Sequence, residues 1–84
     1  MDWAVQVWQH AGSYDLEQIR QALEIVRYWH ANQVDLLRRV DKGSPNWIEV
    51  KRDEELLEVY LVGLRDALIT TMSINKTNGG MKIG

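Results

Sequence analysis

The stretch Leu36-Leu37-Arg38-Arg39-Val40-Asp41-Lys42-Gly43-Ser44-Pro45-Asn46-Trp47 decides the fold. Arg38, Arg39 and Lys42 put positive charge where the carbonyl end of a helix dipole favours it, and Gly43 supplies a stop. Ser44 is a good N-cap, and Pro45 suits the first helical position, where its missing N–H costs nothing. One helix therefore ends and another begins within a few residues. A short connection between two long helices makes them antiparallel neighbours.

Upstream, the first long helix starts near Asp15, whose spacing to Gln18 is that of a capping box, with Ser13 as a competing cap. Its seam runs Leu16, Ile19, Leu23, Val26, His30, Gln33, Leu37 and Val40 in alternating steps of three and four. Ala22, Ile25, Trp29 and Leu36 widen the stripe on one flank. The opposite face carries Glu17, Arg20, Gln21, Glu24, Arg27, Asp35 and Arg38, a solvated surface.

Downstream, the seam is Trp47, Val50, Glu54, Leu57, Leu61, Leu64, Leu68 and Thr71, giving one helix to about Ile74. A loop or short strand through residues 47–50 is the alternative. Asp2 to Ala11 is expected as a short helix that Asp2 caps, with Ala4, Trp8 and Ala11 on one face and Gly12 as its stop. The expected architecture is thus all-α: an antiparallel helical hairpin with a short N-terminal helix folded against it. Residues 1–74 form one helical domain, and 75–84, with Asn78-Gly79-Gly80, a flexible tail.

Eighty-four residues leave room for one small domain, in which a self-contained core is marginal. At 45% hydrophobic and 26% charged residues the chain is too apolar to be disordered. The absence of cysteine excludes disulfides and thiolate metal sites. Ten basic against twelve acidic residues give a net charge of −2, not the footprint of a chain held to nucleic acid by bulk charge. Neither a secretory signal nor an apolar run of membrane-spanning length is found, so a cytoplasmic location is expected.

The segment Leu56 to Leu64 carries the functional argument. It is apolar around nearly its whole circumference, with Glu58 its only charge. A partner helix covers the row Leu57, Leu61, Leu64 and Leu68, leaving Val59, Val62 and Ile69 pointing elsewhere. A third row, Tyr60, Gly63, Ala67 and Thr71, is small beyond the tyrosine and suits close approach of another helix. The N-terminal helix, with Trp3, Val7 and Trp8, covers part of this excess. The rest is expected to be buried against a second chain, a copy or a different protein, completing a bundle. The expected interface is Val59, Val62, Gly63, Ala67 and Ile69, with Trp3 and Trp8 as secondary anchors. Trp29 and Trp47 fall on apolar stripes and are expected in the core.

Signals for chemistry are weak. His10 and His30 are the only histidines, and no Glu-x-x-His or His-Glu-x-x-His spacing occurs. His30, on the seam, is expected as a packed polar residue. Asp53-Glu54-Glu55 with Glu58 is expected as a solvated acidic stretch. No nucleophile elbow or phosphate loop is present. The reading is a non-enzymatic protein without cofactor or metal that acts by association, as an assembly subunit or a stoichiometric inhibitor of the kind phages encode. The rival is a nucleic-acid-binding regulator using Arg38, Arg39, Lys42, Lys51 and Arg52 around the turn.

Overall fold

A computed structural model describes the backbone of residues 1–83 and the side chains of residues 1–73. The chain forms α1 (Asp2–Gln9), a 3₁₀ turn (Ala11–Ser13), α2 (Leu16–Arg39) and α3 (Pro45–Ile83), with no strand among the described residues. The segment 47–50 is therefore helical. The flexible tail expected over 75–84 falls outside the residues whose side chains are described.

Local signals place the helix ends. Asp15 accepts a hydrogen bond from the Gln18 backbone N–H at 2.8 Å, and the Gln18 side chain accepts one from the Asp15 N–H at 3.1 Å. This is the reciprocal capping box. At the turn, the Trp47 N–H donates to Ser44 Oγ at 3.2 Å, and Pro45 opens α3. α2 stops earlier than Gly43, at Arg39, where Val40 turns extended. Gly43 then takes φ 86°, a left-handed conformation that costs a glycine little. α1 differs from expectation at its start, because Met1 is the N-cap and Asp2 is already helical.

α2 and α3 pack as an antiparallel hairpin, and α1 lies along one side of it. Ala4 and Val7 of α1 are buried together with Ile19, Ala22, Leu23 and Val26 of α2 and with Leu57 and Leu64 of α3. Burying each larger aliphatic of this set is worth about 1.5–3 kcal/mol. Edge-on contact of Trp3 with Tyr14, at 6.3 Å between ring centroids, ties α1 to the linker before α2.

The molecule measures 60 × 19 × 14 Å, so it is a rod with little interior. α1 covers only part of its length. Met1 and Val5 line one open cavity with Trp29, Leu56 and Tyr60, whereas Ala11 and Gly12 line another with Ala67 and Thr71. From Trp29 towards the turn the rod is two helices thick. Trp29 is consequently 45% exposed instead of in the core, and Trp47 is only half-buried.

Candidate interaction surface

The row Tyr60, Gly63, Ala67 receives a helix, and that helix is the chain's own α1. Trp8 stacks edge-on against Tyr60 with centroids 4.8 Å apart. Its indole lies directly over Gly63, where a Cβ would sit 2.6 Å from Trp8 Cδ1 and overlap Nε1. No side chain larger than hydrogen fits there without moving the indole. Gly63 and Trp8, both expected at an intermolecular interface, are thus engaged with each other inside the chain. Ala67 is half-buried beside them and packs on the core. Trp3 is 37% exposed and rests on Tyr14.

The remaining expected interface residues are open. Val59, Val62 and Ile69 are 53%, 56% and 58% exposed on the face of α3 turned away from α2. Ile48 continues this face towards the turn and is also about half exposed. Residues 48, 52, 55, 59, 62, 66 and 69 recur in steps of three and four, the spacing of a second helix-packing seam on the outside of α3. Arg52, Glu55 and Asp66 interrupt its apolar positions, and all three are exposed. Sequence periodicity alone reveals this seam, because each of its residues lies half a turn from the buried Leu57 and Leu64 row.

Between α2 and α3 lies one polar cluster that the sequence places on the seams but does not pair. Glu54 is 3% exposed, not solvated as expected of the acidic stretch. Lys51 Nζ donates to Glu54 Oε1 at 2.9 Å, and His30 Nε2 lies 2.9 Å from Oε2. These partners satisfy a carboxylate that would otherwise be costly to bury. The Lys51 bond, aided by bonds from Glu58 and His30, holds the Glu54 carboxyl down at about 2 against the opposing effect of burial. The neighbouring Glu54 pushes Glu58 up, while Glu54 and two nearby acids raise the Lys51 ammonium. His30, Glu54 and Glu58 present ligand-type atoms within 4.8 Å of one another, a donor set suited to a divalent cation. Lys51 already sets a positive charge on the buried carboxylate, so Glu54 is neutralised from within.

The basic turn is partly neutralised as well. Arg39 pairs with Asp35 at 3.0 Å and Lys51 with Glu54 at 2.9 Å. Arg38, Lys42 and Arg52 make no ion pair among the described residues. Asp41, Glu49 and Asp53 stand exposed among them.

Comparison of the chain with known protein families, with curated proteins and with solved structures finds no match. Among the described residues, no helix is long and apolar enough to cross a membrane.

Proposed function

We propose that this chain is a non-enzymatic, cytoplasmic helical protein that acts by protein–protein association through the outer face of α3. Its role on this reading is that of an assembly subunit or a stoichiometric inhibitor. The observation that carries it is the seam of Val59, Val62 and Ile69, more than half exposed while α1 is already committed to Gly63. Apolar side chains scattered singly over a surface need no explanation; a row at helix-packing spacing does. Docking a helix there buries three to four aliphatic side chains, on the order of 5 kcal/mol before the cost of association.

Nucleic-acid binding at the turn is the less supported reading, because two of its five basic residues are held in intrachain ion pairs. The test is site-specific photo-cross-linking in the cells that naturally make the chain. A benzophenone side chain at position 59 or 62 is expected to give a protein adduct, and one at Glu17, exposed on α2, none. Absence of an adduct at both 59 and 62 overturns the proposal.

A further inference from the structure

The outer seam of α3 carries its charges in a particular order. Arg52 lies seven residues before Val59 and Asp66 seven residues after it, all three on the same face. Neither Arg52 nor Asp66 has an ion-pair partner among the described residues. They are about 21 Å apart along the helix, at 1.5 Å per residue, so they cannot meet within one chain.

From this arrangement we infer that the seam docks a second copy of the same chain, α3 against α3 and antiparallel, with the twofold axis close to Val59. The inference rests on the association reading above and names its partner. A twofold axis makes the contact self-complementary: where residue 52 of one copy meets residue 66 of the other, the reverse also holds. Val59 of one copy then meets Val59 of the other at the centre, Val62 of each lies against the methylene stem of the other's Glu55, and Arg52 pairs with Asp66 at both ends. A parallel pairing instead stacks Arg52 on Arg52, Glu55 on Glu55 and Asp66 on Asp66, which is repulsive in every charged layer. The order of charge along the seam therefore selects the antiparallel copy. Burial of the valines supplies the attraction, and the charged ends fix the direction.

Charge reversal tests this directly, read as the dimer dissociation constant in analytical ultracentrifugation. Arg52→Asp alone sets two acids against each other at both ends of the dimer, and Asp66→Arg alone sets two arginines. Each single variant is expected to weaken self-association about tenfold. Mixing the two single variants restores complementary ends, because at each end an acid of one copy again faces an arginine of the other. The mixture is expected to associate within about twofold of the unaltered chain, as is the double variant R52D/D66R. Both positions are exposed, and circular dichroism verifies that each variant remains helical.

Single variants that associate as tightly as the unaltered chain overturn the antiparallel pairing. So do weakened single variants that neither the mixture nor the double variant rescues. A chain still monomeric at about 1 mM overturns the second copy as occupant. In that case the broader reading stands or falls separately: an adduct of position 59 or 62 with a different protein preserves it, and no adduct removes it too.

Discussion

The indole of Trp8 lies over Gly63 so closely that a Cβ at position 63 would stand 2.6 Å from its Cδ1. This contact locks α1 onto α3 and makes the small-residue row of α3 an internal docking groove. It also predicts a change of sign. Gly63→Ala is expected to destabilise the protein by about 1–3 kcal/mol in urea denaturation, because the indole must leave its stacking position on Tyr60. In a Trp8→Ala background the same substitution no longer meets the indole and is expected to stabilise by up to about 1 kcal/mol, the helix preference of alanine over glycine. A stabilising Gly63→Ala with Trp8 intact would show that α1 does not dock there.

Glu54 gives the protein an acid-sensitive component. Its folded-state value of about 2 lies below the ordinary 4.5, so the unfolded chain takes up the proton first as pH falls. The stabilisation is present above about pH 4.5 and is lost progressively down to about pH 2. Glu58, raised by its neighbour Glu54, acts in the opposite sense at the upper edge of that window. Denaturation midpoints followed from pH 6 to pH 2 are expected to fall, and Glu54→Gln is expected to flatten that dependence. A profile unchanged by Glu54→Gln would contradict this assignment.

The start of α2 rests on Asp15 and Gln18. Asp15→Ala removes the acceptor for the Gln18 N–H and is expected to cost about 1 kcal/mol, with Asp15→Asn losing much less. Equal losses for the two variants would assign the effect to charge instead of to the cap.

Val62→Asp places a charge on a side chain that is more than half exposed and lies outside the buried core. The folded monomer is expected to tolerate it within about 0.5 kcal/mol, judged by thermal denaturation at low micromolar concentration. A loss of several kcal/mol would mean that Val62 belongs to the interior of the chain.

The helix boundaries around the turn and the cap of α2 are legible in the sequence because their signals are local: Asp15 with Gln18, and Ser44 with Pro45, act within one helical turn. Periodicity likewise separates the buried Leu57 and Leu64 from the exposed Val59, Val62 and Ile69. Contacts between helices are not legible in this way. His30 and Glu54 each sit on a seam, but their pairing depends on the relative axial register of α2 and α3, which no single-helix pattern contains. Trp29 departs from its expected place in the core for a related reason. Its stripe is apolar, yet the eight-residue α1 is too short to cover it. Gly63 lies on the same flank, where α1 does reach.

The most direct test of the outer face of α3 as the surface that docks a second copy is the solution mass of the unaltered chain beside that of Val62→Asp. Light scattering on a sizing column, from micromolar to near-millimolar concentration, suffices. The predicted result is a mass for the unaltered chain that climbs towards twice 9.8 kDa, while Val62→Asp stays at the monomer. Equal masses for the two proteins, both dimeric or both monomeric, would contradict it.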